Sequence, residues 1–260
     1  MRISDLDRDH SQIFVASQDP DSEFLYERMQ EALFDALNVA RGERVLDVAA
    51  GLGRDARALA ERGFYATSAE PSKLLTDLED LIAEREQWKD LGEKVTRVRA
   101  WGEALPFREG SFAASFCKGS LDHFDDPGGC VREMARVTRA DGRVVLAVAN
   151  MDALALRWHR LTEHLGAHGR RAAPGRRHSD APADHLTRYD PDLLRREVAR
   201  FVHIEVWMGV SLLWGAGFWQ RALRALPPPR ASACLRAADA IARRVPGWAD
   251  LIVVAGRPRR

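Results

Sequence analysis

Val45-Leu46-Asp47-Val48-Ala49-Ala50-Gly51-Leu52-Gly53-Arg54-Asp55 is a short apolar strand that runs into small residues and glycines, with helix formers from Asp55 to Ala60 directly behind it. A strand that turns this sharply into a helix presents main-chain amides at the helix N-terminus, a natural place to hold a ligand. Gly51 and Gly53 let the main chain pass close to a bound molecule, and Asp47, at the end of the strand, offers a carboxylate to the same spot. The glycine pattern is weak by itself and gains meaning only from the segments downstream of it in the chain.

Outward from this turn, strand and helix signals alternate. Arg44 to Val48 is the first strand, and Asp55 to Arg62 is the helix after it, closed by Gly63. Phe64 to Ala69 is a second strand ending in Glu70, and Pro71 takes the favoured first position of a helix that carries Leu74, Leu75, Leu78, Leu81 and Ile82. Lys94 to Arg99, Ser111 to Cys117 and Gly142 to Ala149 read as further strands, with Asp126-Pro127 opening a helix through Met134 and Val137. Upstream, Phe24, Leu25, Met29, Leu33, Phe34 and Leu37 fall at helical spacing between Glu23 and Asn38. This alternation predicts an α/β fold with a parallel sheet that binds its ligand at the carboxyl edge.

Beyond Asn150 the rhythm breaks. A helical start with Leu154, Leu156, Trp158 and Leu161 gives way to a stretch rich in His, Arg, Pro and Gly. Asp190-Pro191 then opens a helix to Arg200, and strands follow at Phe201 to Met208 and Leu251 to Ala255. The expected organisation is a single domain over 1–260, with a flexible lead-in at 1–22, an insert or lid at 151–185 and an apolar helical insert at 209–248. In that last insert, Cys234, Ala238 and Ile241 are in helical register.

Composition limits the partners. Lys+Arg 39 against Asp+Glu 38 leaves a formal charge of +1, so no global field recruits nucleic acid. The three cysteines, Cys117, Cys130 and Cys234, are widely spaced and lack CxxC or His partners, which argues against disulfides and zinc. The N-terminal residues are charged where a signal peptide is apolar, and no apolar run is long enough to span a bilayer. The expectation is a cytoplasmic protein with no metal, no nucleic acid and no stable membrane insertion, acting on a small molecule; a homodimer is left open.

The ordered set Leu46-Asp47-x-x-x-Gly51-x-Gly53, Glu70-Pro71-Ser72, Glu103-Ala104-Leu105-Pro106-Phe107, Ser120-Leu121-Asp122-His123 and Glu133-x-x-Arg136-Val137 resembles the class I S-adenosylmethionine-dependent methyltransferases, and most of all their small-molecule branch. The resemblance covers about Phe24 to Ala149. It implies a Rossmann-like three-layer sandwich with a seven-stranded, mostly parallel sheet whose last strand lies antiparallel between the fifth and sixth. It also implies S-adenosyl-L-methionine as the cofactor. In the family pattern Asp47, Ala49, Gly51 and Gly53 surround the methionine part, with Ala49 standing where glycine is frequent. Glu70 accepts the ribose hydroxyls, followed by Pro71. Family members often carry an acidic residue that accepts from the adenine amino group, whereas this chain has Trp101 and Gly102 there, so stacking by Trp101 and backbone groups near Gly102 and Glu103 are the alternatives.

Cys117 closes the fourth strand where cofactor and acceptor meet. His123 is a candidate general base, since imidazole titrates near neutrality, and a packing role beside Phe124 competes with it. His185 and Tyr189 are further candidates because the chain rejoins the sheet there. Arg170, Arg171, Arg176 and Arg177 offer either an anion clamp or a solvated loop. The stretch from Val210 to Leu226 can wall an apolar acceptor, dimerise or simply pack. Two other functions stay open: a nicotinamide-dependent dehydrogenase, which leaves Asp47 and the Leu105-Pro106-Phe107 run unexplained, and a protein of this fold that binds the cofactor without methylating.

Overall fold

The computed structural model describes residues 20–86, 88–164 and 186–260. Its first half contains α1 (Pro20–Leu37), β1 (Arg44–Val48), α2 (Arg54–Glu61), β2 (Tyr65–Ala69), α3 (Lys73–Arg85), β3 (Val95–Val98) and β4 (Phe112–Lys118). Then come α4 (Pro127–Val137), β5 (Thr138–Ala149), α5 (Leu154–His164), α6 (Pro191–Ala199), β6 (Val202–Val210), α7 (Gly217–Arg224), α8 (Pro228–Arg244) and β7 (Leu251–Pro258).

The strands form one seven-stranded sheet in the order β3-β2-β1-β4-β5-β7-β6. Neighbours from β3 to β5 are parallel, and β7 runs antiparallel to both β5 and β6. Val45, Leu46 and Val48 are fully buried, as expected of a central strand covered on both faces. Because successive side chains point to opposite faces, Val45 and Leu46 enter different cores. On one face Leu25, Met29 and Leu33 of α1 and Leu59 of α2 close over Val45, Phe116 and Val253. On the other, Val131 and Met134 of α4 and Leu194 and Val198 of α6 close over Leu46, Leu146 and Val254. The result is the expected three-layer α/β sandwich.

Polar caps set several helix boundaries. Asp126 accepts from Gly129 N at 2.8 Å and Asp190 from Leu193 N at 2.7 Å, starting α4 and α6 where the Asp-Pro pairs predict. Pro71, by contrast, does not open α3: Ser72 is the cap, its hydroxyl accepting from Leu75 N at 3.2 Å, and the helix begins at Lys73. Only part of the apolar set of α3 faces inward. Leu74 and Leu81 are about half exposed, at 49% and 50%, while Leu75, Glu79 and Ala83 face inward at four-residue spacing.

α1 begins at Pro20, three residues before the expected Glu23. Asp21 and Ser22 therefore belong to the helix and are buried, tied to the loop after β6. Trp214 Nε1 donates to Ser22 Oγ at 2.8 Å, and Gly215 N and Gln220 Nε2 donate to Asp21 Oδ2 at 3.2 Å. In α8 the buried apolar positions are Ala231, Leu235, Ala238 and Ala242, so Ile241 lies outside the predicted register and is exposed. The inner faces of α7 and α8 pack as core through Leu223, Leu235 and Ala242, and Trp214 and Phe218 remain exposed. The lead-in residues before Pro20 and the Arg-rich part of the insert, with His185, lie outside the described residues.

Candidate functional site

The parallel registers Val48↔Ala69 and Val48↔Cys117 bring the ends of β1, β2 and β4 level at one edge of the sheet. The chain leaving β1 is held there by main-chain bonds from Ala49 N and Ala50 N to Ala69 O, at 2.8 and 3.3 Å. Three residues of the turn adopt positive φ: Ala49 at 58°, Gly51 at 59° and Gly53 at 67°. Ala49 thus holds, with a methyl group, a conformation that glycine takes without penalty.

Glu70, which follows β2, reaches across to this turn. Its Oε2 accepts from Gly51 N at 2.9 Å and its Oε1 from Ser72 N at 3.0 Å. The carboxylate is buried and stands against a loop that is nineteen residues away in the chain. A Cβ built on Gly51 meets nothing within 4 Å, so this side of the turn is open. Gly53 differs: its Cβ would lie 2.0 Å from Glu79 Oε1, so this glycine accommodates a buried side chain of α3 and is closed to a ligand.

Beneath the turn lies a buried polar group. Asp47 is 2% exposed, its Oδ2 has no hydrogen-bond partner among the described residues, and burial followed by the neighbouring Asp55 holds its carboxyl well above the usual range. Lys118 forms an ion pair with Asp55, whose other oxygen accepts from Gln30 Nε2 at 2.6 Å. Glu79 is fully buried, its Oε2 accepting from Ser68 Oγ at 3.0 Å. Burial is the main cause that pushes it up to about 7.

The third wall is the run from Trp101 to Phe107. Glu133 Oε2 accepts from Leu105 N at 3.1 Å, and Arg136 donates to Phe107 O at 2.8 Å and Leu105 O at 3.0 Å. Glu133 and Arg136 of α4 therefore fix this loop, and their mutual hydrogen bonds hold the Glu133 carboxyl below its ordinary value. Trp101 is half-buried. Gly102 is needed for packing, because a Cβ there would lie 2.4 Å from Phe124 Cε1 and 3.0 Å from Cys130 Sγ. Glu103 Oε2 is buried and has no hydrogen-bond partner among the described residues.

Of the remaining candidates, His123 sits on the short turn after β4, with Nε2 3.9 Å from Asp122 Oδ1 and a quarter of its side chain exposed. Cys117 and Tyr189 reach the same end of the sheet but belong to its core. Burial pushes both the Cys117 thiol and the Tyr189 phenol upward, so they stay protonated and cannot accept a proton near neutrality. Tyr189 is accordingly a packing residue, and Cys117 lends the edge its side-chain volume. Pro71 is half-buried, and its carbonyl accepts from Arg99 Nε at 2.9 Å. Sequence patterning does not single out Glu79 or Ser68; their signal is the spacing of Leu75, Glu79 and Ala83 on the inner face of α3. Among the described residues no group of His, Cys, Asp and Glu is arranged to hold a metal ion, and no helix is long and apolar enough to cross a membrane.

A sheet in this order with a glycine turn at its edge is matched by known proteins. The methyltransferase-domain family matches residues 46–146. Over that stretch the chain is similar to the class I S-adenosylmethionine-dependent methyltransferases. Methyltransferase GfsG of Streptomyces halstedii is 32% identical over 121 residues, 46% of this chain and 43% of that protein. Demethylmenaquinone methyltransferase of Beutenbergia cavernae is 34% identical over 118 residues, 45% of each chain. The matched part of the chain thus spans less than half the length of these relatives. Among solved structures, geranyl diphosphate C-methyltransferase from Streptomyces coelicolor, in complex with Mg2+, geranyl diphosphate and S-adenosyl-L-homocysteine, aligns with a TM-score of 0.58 at 18% identity, covering 90% of this chain and 77% of that one. The [4+2]-cyclase SpnF aligns with a TM-score of 0.57 at 19% identity, covering 89% and 80%. Both extend the likeness in fold beyond the methyltransferase domain itself.

Proposed function

We propose that the protein transfers the methyl group of S-adenosyl-L-methionine to a small, partly apolar metabolite. The observation that carries this reading is the placing of Glu70 Oε2 2.9 Å from Gly51 N: one buried carboxylate closes onto the open side of the glycine turn. The residues present fit the cofactor. Asp47 Oδ2 is a buried acceptor in want of a donor, suited to the ammonium of the methionine part, and Glu70 is suited to the ribose hydroxyls. Where Trp101 replaces the usual adenine acceptor, Glu103 Oε2 supplies a buried acceptor two residues on.

When bound, the cofactor supplies an activated methyl group on a sulfonium, so positioning carries much of the rate. In this reading the β4 edge orients the acceptor, the pinned Leu105-Pro106-Phe107 run shields one side from water, and His123, on the turn after β4, takes a proton from an O–H or C–H acceptor. The exposed Trp214 and Phe218 near the end of β6 suit an apolar acceptor. The alternative of a protein that binds the cofactor without methylating rests on Trp101 and on the cyclase among the structural neighbours. Calorimetric titration with S-adenosylmethionine tests the reading: Glu70→Ala is expected to weaken binding at least a hundredfold and Glu103→Gln about tenfold, losses of roughly 2.7 and 1.4 kcal/mol. Unchanged affinity in Glu70→Ala refutes it. Formation of S-adenosylhomocysteine with a panel of small acceptors separates methyl transfer from binding alone.

A further inference from the structure

Glu79 has no part in the proposed methyl transfer, yet its carboxyl group packs against the turn at Gly53. It lies on α3, is fully buried, and directs Oε1 at the place where Gly53 lacks a side chain. Oε1 has no hydrogen-bond partner among the described residues, while Oε2 takes the hydroxyl of Ser68. Ser68 is in register with Asp47 on one side and Arg97 on the other, so these groups share one face of the sheet. Around Glu79 stand Arg97 of β3, Asp80 of α3 and Glu70 at the end of β2; around Asp47 stand Asp55, Lys118, Glu79 and Glu70. Arg97 is shared with Asp80 through an ion pair at 2.7 Å. If Asp47, Asp55, Glu70 and Glu79 were all ionised, four buried carboxylates would face Lys118 and a shared Arg97, and such an excess is costly without a further cation.

We propose that Glu79 is a proton-linked positioning residue of the cofactor turn: it holds a proton against Gly53 in the free protein and gives it up to solvent when a cationic ligand seats in the turn from Asp47 to Gly53. The proposal rests on the reading of the site as one for S-adenosylmethionine, whose ammonium and sulfonium would supply the missing positive charge. Ionised, Glu79 balances that charge from below the loop; protonated, it leaves the empty site close to neutral. Its carboxyl, raised to about 7 chiefly by burial, is poised for the exchange at physiological pH. The Ser68 hydroxyl favours the ionised form and sets where the exchange occurs.

Titration of the folded protein with S-adenosylmethionine, in buffers of different ionisation enthalpy, counts the protons released. At pH 7 the wild type is expected to release about half a proton more than Glu79→Gln. The ratio of wild-type to Glu79→Gln affinity is expected to rise about tenfold from pH 6 to pH 8, because titration of the ligand amine cancels between the two. Ser68→Ala is expected to keep the released proton but to move its pH midpoint upward. Equal proton counts and parallel affinity curves in wild type and Glu79→Gln overturn the proposal while leaving the cofactor assignment standing. If Glu79→Gln fails to give a native circular dichroism spectrum, an unmoved midpoint in Ser68→Ala overturns it instead. No binding by the wild type refutes the cofactor assignment, and the proposal with it.

Discussion

A methyl group added at Gly51 and one added at Gly53 meet different surroundings. At Gly51 it enters open space, and the positive φ costs about 1 kcal/mol. At Gly53 it lands 2.0 Å from a buried carboxylate oxygen, and displacing Glu79 adds to the backbone strain. Gly51→Ala is therefore expected to melt within a few degrees of the wild type while weakening S-adenosylmethionine at least tenfold. Gly53→Ala is expected to lose about 2–3 kcal/mol of stability in urea unfolding. Comparable effects of both substitutions on both readouts would contradict this division. The sequence shows two glycines at the right spacing for one ligand loop; it does not show that the second serves Glu79, because that contact is made across 26 residues by the packing of α3.

Among elements, the loop between β6 and α7 is held by three distant elements. Ser211 and Leu213 adopt positive φ, at 59° and 68°, which side chains avoid unless other contacts impose it. Here the contacts are carboxylates from distant elements. Asp239 of α8 accepts from Ser211 N at 3.0 Å, Asp250 before β7 from Trp214 N at 2.9 Å, and Asp21 of α1 from Gly215 N at 3.2 Å. Asp239 also holds Arg28 at 3.2 Å and Arg243 at 3.1 Å. Asp239→Ala leaves a buried amide and two guanidinium groups short of a partner, and about 2–4 kcal/mol of stability is expected to be lost, read as a lower thermal midpoint. A shift under about 0.5 kcal/mol would show that water replaces the carboxylate.

Periodicity located nearly every strand and helix, because a half-buried element repeats its apolar residues at its own period. It does not give the inner face of α3, and in α8 it misplaced Ile241. In α3 a buried glutamate joins Leu75 and Ala83 on the inner face, and in α8 alanines, too small to stand out in an apolar pattern, carry much of the packing.

For the whole molecule, buried acids give stability a definite dependence on pH. Glu79 rises from 4.5 to about 7 and Asp250 from 3.8 to about 7, both chiefly through burial, and Asp47 shifts in the same direction. Below pH 4 these groups are protonated in folded and unfolded chains alike. Between about pH 4 and pH 7 the unfolded chain releases protons that the folded chain keeps, so their contribution to stability falls as pH rises through this window and levels off above it. At about 1.4 kcal/mol per pH unit the loss is at most about 3 kcal/mol for Glu79 and about 4 kcal/mol for Asp250. Urea unfolding at pH 5, 6, 7 and 8 is expected to show the Glu79→Gln, Asp250→Asn double variant gaining stability relative to wild type up to about pH 7. A constant difference across that range would exclude the shifts.

By itself the sequence determined the order of strands and helices, the glycine turn, Glu70 and the caps at Asp126 and Asp190, because each is written in residues close together in the chain. Only the tertiary structure decided that Asp47, Glu70 and Glu79 share one buried site, that Lys118 answers Asp55, and that Tyr189 and Cys117 are core residues. The reason is that desolvation and pairing depend on what the fold brings against a side chain from elsewhere in the chain, and no local pattern records that.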